Sequence, residues 1–255
     1  DWFVERLPEG EAGQEEDQWR RWNKIHRENA ALVEWLARAP GADWIRIARA
    51  GSGFAMRNGP FGAWLAFCER ALRNDLADDE KSHVLWMASY VAMRAGLLDQ
   101  TLALARQKEV LDQSRGEERE AALARSQIAD VLQVRGDYEE ARRIYREQLP
   151  VYKGLGDMRE WGVTQGEIAS VSRTRGEYDE ALRIYREDVL PVFEGKVRDR
   201  AVMQGKIADV LQACGNYEDA LRIRREEELP VYESLGDVRE KAVVREKIAN
   251  LLKRL

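Results

Sequence analysis

Three stretches of this chain nearly spell one another. Residues 128–152 read IADVLQVRGDYEEARRIYREQLPVY, residues 168–193 read IASVSRTRGEYDEALRIYREDVLPVF, and residues 207–232 read IADVLQACGNYEDALRIRREEELPVY. The opening of a further copy, IANLLKRL, stands at 248–255. The central glycines, Gly136, Gly176 and Gly215, lie 40 and 39 residues apart. Self-similarity at this period describes a stacked array, because one unit cannot bury its own apolar face and needs its neighbours.

Each copy reads as two antiparallel helices. Leu123, Ile128, Val131 and Leu132 lie at helical spacing, and Gly136 then stops the first helix. Asp137 follows as an N-cap with Glu140 three residues on, an arrangement repeated by Glu177/Glu180 and Asn216/Asp219. The second helix carries the stripe Tyr138, Ala141, Tyr145, Leu149, Tyr152 and ends near Gly154 or Gly156. Asp157 with Glu160, and later Asp237 with Glu240, open the next first helix. Pro150, Pro191 and Pro230 each remove a backbone donor and are expected to kink or end their helices. Ala141, Ala181 and Ala220 recur five residues after each glycine, where two helices should cross closely. The expected pairs are 78–95/97–114, 117–135/137–154, 157–175/177–195 and 198–214/216–235, then a helix 237–255, with no sheet.

These residues resemble the tetratricopeptide repeat. Ile128-Ala129 and Leu132 stand where its first helix has a Leu-Gly group, and Ala141-x3-Tyr145 and Ala181-x3-Tyr185 match its second-helix pattern. The third copy departs, with Arg224 where the aromatic belongs, and the period exceeds the usual ~34 residues. The resemblance implies an all-α fold, a tetratricopeptide-like right-handed superhelical solenoid of antiparallel helix pairs whose first helices line a concave groove. By the family's register the groove columns are Asp130/Ser170/Asp209/Asn250 and Gln133/Arg173/Gln212/Lys253, with His83, Trp86, Tyr90 and Met93 at the equivalent sites of the first full repeat. Polar columns also describe the wet side of any helix, and Trp86 and Tyr90 either pack on the helices before them or stand open as anchors.

At 255 residues, 34% charged and 44% hydrophobic, the chain is long enough for a continuous core. Its net charge of −5 argues against nucleic acid or an anionic membrane as the main partner. No run approaches the ~18 apolar residues of a membrane helix. Cys68 and Cys214 lie far apart in helical patterns and fit buried thiols of a reducing, cytoplasmic compartment. The first residue is Asp1 and no signal peptide is visible, so an excised portion of a longer protein is expected.

Three regions are expected. Residues 1–16 read as an acidic linker or tail, although Trp2, Phe3, Val4 and Leu7 offer an apolar docking point. Residues 17–77 read as degenerate, Trp-rich helical repeats: a helix over 17–38 with Trp19, Trp22, Ile25, Leu32 and Leu36, a second near 43–57 with Trp44, Ile47, Ala48 and Phe54, and a third from Phe61 to Leu72. Residues 78–255 read as a regular array with a final unpaired helix, 237–255, serving as a natural cap or marking a boundary cut through a longer array.

The N-terminal block carries a second resemblance. Glu28-Asn29-Ala30-Ala31-Leu32, Trp35-Leu36, Gly59 to Leu65 and Glu69-Arg70-Ala71-Leu72 resemble the start of the sensor arm of STAND-class signalling NTPases. That likeness implies a regulatory repeat arm whose ligand or partner controls self-association of the parent NTPase.

Catalytic chemistry is not expected. No G-x-x-x-x-G-K-[ST] loop occurs, and neither histidine, His26 or His83, has a second ligand at i+3 or i+4. Ser82 and Ser89 flank His83 in sequence without forming a nucleophile–base signature. The expectation is a non-catalytic, cofactor- and metal-free module whose groove holds a peptide, a protein partner or a small inducer. The alternative is a structural scaffold or self-association module with an unoccupied groove.

Overall fold

The computed structural model describes residues 29–38, 44–49, 55 and 60–255. Among them there is no strand. The expectations for residues 1–16, Trp19, Trp22, Ile25, His26, Phe54 and Gly59, and for the side chain of Leu32, lie outside the described residues. The chain divides into two compact units, with the boundary between Arg135 and Gly136.

The first unit contains α1 (Asn29–Arg38), a helical stretch over 44–49, α2 (Phe61–Ala71), α3 (Asp78–Arg94), α4 (Leu98–Ser114) and α5 (Glu118–Arg135). Its core gathers Leu36, Trp44, Ile47, Trp64, Phe67 and Cys68 against Val84, Leu85, Ala88 and Val91 of α3. The Phe67 ring lies 5.0 Å from Trp44 and 5.8 Å, edge-on, from Trp64. Arg70 seals the end of α1: it donates to the carbonyls of Leu36 and Ala37, and its guanidinium sits 5.1 Å over the Trp44 ring. The indoles supply large apolar area, and the arginine satisfies carbonyls that the helix end leaves unpaired.

The second unit contains α6 (Tyr138–Gly154), α7 (Met158–Thr174), α8 (Tyr178–Arg183), α9 (Val197–Ala213), α10 (Tyr217–Ile223), α11 (Leu229–Ser234) and α12 (Val238–Leu252). A π-helical turn, Ile184–Val189, and a 3-10 turn, Leu190–Phe193, continue α8, and a π-helical turn, Arg224–Glu228, joins α10 to α11. The helices fall within two residues of the expected pairs, and the fold is all-α and tetratricopeptide-like. The reason is the punctuation. Gly96, Gly116, Gly136, Gly156, Gly176, Gly195, Gly215 and Gly236 all have positive φ, between 65° and 90°. Gly156, not Gly154, ends α6. Its left-handed backbone lets the Asp157 N–H turn back to the Tyr152 carbonyl at 2.9 Å, while Gly154 is the last helical residue.

The caps are mixed. Asp157, Asn216 and Asp237 accept from the backbone N–H groups of Glu160, Asp219 and Glu240 at 3.2, 3.3 and 3.1 Å. Asp137 and Glu177 make no such bond. Glu177 instead takes Arg142 at 2.9 Å and Arg175 at 2.8 Å. A longer side chain at that position reaches past the helix end to the arginines.

The prolines do not end their helices. α6 runs through Pro150 to Gly154, and both later chains remain helical beyond Pro191 and Pro230. The second and third copies hold one more residue than the first between glycine and proline, 14 against 13. The extra residue is absorbed by the π-helical turns, in which Leu190 N–H reaches the Tyr185 carbonyl and Leu229 N–H the Arg224 carbonyl, five residues back. Downstream faces are thereby kept in register, so that Tyr152, Phe193 and Tyr232 are all buried.

Small residues set the closest contacts in the second unit. Ala141, Ala181 and Ala220 are fully buried. Gly166 admits Tyr185, whose hydroxyl donates to the Gly166 carbonyl at 2.9 Å. A Cβ at Gly162 would come within 2.9 Å of Val192 Cγ1, so that glycine is dictated by the backbone's approach to the end of the α8 chain.

Candidate partner-binding surfaces

α3 presents a ladder of rings along one edge. His83 and Trp86 lie 5.6 Å apart between centroids, and Trp86 and Tyr90 6.4 Å. The opposite face of α3, with Val84, Leu85, Met87, Ala88 and Val91, is fully in the core. Tyr90 is 38% exposed, and His83, Trp86 and Met93 are half-buried. The two readings of the sequence both describe part of this: Trp86 packs against the core cluster along one side, and Tyr90 stands open. Ser89 holds the ladder from behind, with its hydroxyl 2.9 Å from the Trp86 carbonyl and 2.6 Å from Gln127 Oε1 on α5.

Burial pushes the His83 imidazole below its ordinary value of 6.5. The Ala48 carbonyl and Glu120 favour the charged ring, and Arg49 and Lys108 oppose it. Its Nε2 is buried without a hydrogen-bond partner.

Behind the ladder lies a charged cluster that sequence reasoning missed. Lys108, fully buried on α4, donates to Asp112 at 2.6 Å, Ser82 at 2.9 Å and Glu120 at 2.9 Å. Burial works against the Glu120 carboxylate, but the bond and charge of Lys108 prevail and hold it below the usual range. Lys108 and Asp112 stand at the register of Gln148 and Tyr152 in α6, a correspondence visible once the glycines are aligned.

The polar columns are placed as follows. On α5, Asp130 and Gln133 are half-buried. In the second unit Ser170 is 9% exposed, Arg173 and Gln212 are half-buried, and Asn250 and Lys253 are exposed. The Asp209 carboxylate is bound by Arg224 and, at 3.1 Å, by Lys247 of α12. Lys206 pairs with Glu167 at 3.0 Å, so successive first helices of this unit are tied by ion pairs on that face.

Arg224, the departure from the aromatic pattern, is fully buried and donates to Glu228 at 2.8 Å. The Glu228 carboxylate lies against Gly205, where any Cβ would collide with it. Burial pushes Glu228 up, against the pull of Arg224 and Lys247.

Among the described residues no group of three or more His, Cys, Asp or Glu is placed to hold a metal ion, and no helix is long and apolar enough to cross a membrane. Cys68 is buried and Cys214 is exposed, so the expectation of two buried thiols holds for the first alone. Cys214 occupies the C-cap of α9, where its thiol donates to the Leu211 carbonyl.

Residues 119–187 match the family model of the tetratricopeptide repeat. No curated protein matches the sequence. Among solved structures, a Rap protein complexed with Competence and Sporulation Factor superposes with a TM-score of 0.66 at 11% identity, over 99% of this chain and 90% of that one. A Signal Transduction ATPase with Numerous Domains (STAND) protein with a tetratricopeptide repeat sensor, from Pyrococcus horikoshii, gives 0.64 at 13% identity, over 93% of this chain and 38% of that one. A thermophilic tetratricopeptide repeat protein from Thermus thermophilus gives 0.56 at 15% identity, over 84% and 99%. At these identities the likeness is one of fold.

Proposed function

We propose that this chain is a non-catalytic interaction and sensing module that holds a peptide or protein segment against the exposed edge of α3. The observation that carries the reading is the ladder itself. A helix whose far side is fully buried leaves Tyr90 open and Trp86 and Met93 half-open, and aromatic side chains of this kind are the residues on which binding energy concentrates. Asp130 and Gln133 would extend the contact on α5. In the second unit, taken by itself, Arg173, Gln212, Asn250 and Lys253 would offer polar contacts, with Ser170 and Asp209 shaping the surface more than touching a partner. The fold shared with a Rap protein complexed with Competence and Sporulation Factor supports a peptide or protein as the ligand. A small inducer is compatible with the same surface.

The fold shared with a STAND protein's tetratricopeptide sensor, together with the motifs at 28–72, supports placement as the regulatory arm of a larger cytoplasmic signalling protein. Selection of peptides from a displayed random library on the purified chain tests the reading. Selected peptides should lose about tenfold or more in affinity on Trp86→Ala or Tyr90→Ala, the scale of a loss of ~1.4 kcal/mol or more at a hot spot. Peptides that bind both variants as well as the parent would sink it.

A further inference from the structure

In the second unit the turns that lead into α7, α9 and α12 stand side by side. Arg159, after the first turn, reaches Asp199 after the second at 3.9 Å, and Arg198 reaches Asp237 of the third at 3.0 Å. Along this edge five large apolar side chains are open, Leu155, Met158, Val197, Leu235 and Val238, from 44% to 72% exposed. They recur beside Gly156, Gly195 and Gly236, and only Glu194 breaks the pattern. Turns that merely joined helices would carry polar residues here, and clustered exposed apolar side chains rimmed by charge mark an interaction surface.

The middle turn differs from its neighbours at two positions. Where Gly156 and Gly236 are followed by Asp157 and Asp237, Gly195 is followed by Lys196, and where α7 has Trp161, α9 has Arg200. A cation at the start of a helix opposes its dipole, so the fold does not call for Lys196. Its ammonium lies 5.8 Å from the Phe193 ring. Among the described residues neither Lys196 nor Arg200 forms an ion pair, whereas Arg159 and Arg198 on the same edge are both committed to acids.

These two cations border a cleft of about 340 Å³ between α9 and α11, in which Val197, Ala201 and Val231 supply the apolar lining. The one acid in the lining, Glu227, is taken up by the buried Gln204 at 2.5 Å and by Arg222 at 3.5 Å. The cleft therefore offers apolar surface beside two uncommitted positive charges. Its volume stands at the lower end for ligand pockets, which suits the side chains of a peptide.

We propose that this cleft, with the strip beside it, docks a short segment of a partner protein in which aliphatic residues alternate with carboxylates. The aliphatic side chains cover Val197 and Val231, and the carboxylates meet Lys196 and Arg200. Charge complementarity selects an acidic segment over a basic one. The inference is independent of the α3 ladder, which belongs to the first unit.

The test is methyl NMR of the full chain, titrated with acetyl-Leu-Glu-Val-Glu-Leu-amide and separately with acetyl-Leu-Lys-Val-Lys-Leu-amide. The acidic probe should move the methyl signals of Val197, Ala201 and Val231 saturably, and the lysine probe should not. Arg200→Glu, at an exposed position and with an unchanged melting curve, should weaken the acidic probe about tenfold. Lys196→Glu with Arg200→Glu should reverse the preference between the probes. No saturable movement of those signals, or equal affinity for the two probes, would overturn the proposal. So would movement of the same signals in the peptide-free chain when residues 1–16 are removed, or on dilution, since the occupant would then be the chain's own acidic segment or a second copy.

Discussion

Arg224 and Glu228, 2.8 Å apart and buried in the third copy, replace an aromatic–aliphatic pair that the second copy builds from Tyr185 and Val189. The exchange explains Gly205, because the carboxylate uses the space that a Cβ would fill. It also joins Asp209 and Lys247, so that charge is balanced across α9, the π-helical turn and α12. A buried pair of this kind is weak evidence of net stabilisation, since desolvation offsets most of the attraction.

Breaking the pair and replacing it should therefore differ in outcome. Arg224→Leu leaves Glu228 buried beside Asp209 and should cost about 3–5 kcal/mol in urea unfolding. Arg224→Tyr with Glu228→Val restores the second copy's pair and should fall within about 1–2 kcal/mol of the parent, on either side. A double variant as damaged as the single one would show that register, not charge pairing, governs the site.

Ala181 is fully buried at a helix crossing. Leucine there should cost about 1–3 kcal/mol by overpacking. An unchanged melting curve would mean that the crossing has room to relax.

Stability should depend on His83 below neutral pH. Burial lowers its folded-state value beneath the 6.5 of the unfolded chain, so between those values the unfolded state binds more protons. Stability from this group is complete above 6.5 and is lost as pH falls through and below it. Unfolding free energies at about pH 7.5 and about pH 5.5 should therefore differ more in the parent than in His83→Gln. An equal difference in both would assign the pH response to other groups.

The one-residue insertion in the second copy should be removable. Deleting Glu187 shortens the π-helical turn to the spacing of α6 and leaves Phe193 in register. Far-ultraviolet circular dichroism should keep its helical signal, and stability should change by less than about 2 kcal/mol, whereas deleting Leu182 ahead of Tyr185 should unfold the pair. Equal damage from both deletions would deny the turn its role.

Helix positions were legible because a glycine of positive φ stands at every turn after α3, with an apolar stripe on either side, and local signals agreed with the array. Of the two outcomes expected at the prolines, a kink or an end, the end did not occur, for a physical reason: a helix already packed along its length can bypass a missing donor, and a π-helical turn can absorb the extra residue beside it. The length difference between Gly136–Pro150 and Gly176–Pro191 was the available signal. The residues of the α3 ladder were singled out by the register of the tetratricopeptide resemblance, and their ring contacts follow from their helical spacing. The partners of Lys108 and Arg224 were not, since Ser82, Glu120 and Asp209 reach them across helix pairs that only the packing brings together. For the same reason Ser170 gave no sign that it would be buried.

If the α3 edge holds a partner, Tyr90, the most exposed ring of the ladder, should carry a large share of the contact. Isothermal titration of a library-selected peptide against the parent chain and Tyr90→Ala reads that share, with matched melting curves as the control. Affinity should fall about tenfold or more in the variant. Equal affinity in the two proteins would mean that the α3 edge is not the binding surface.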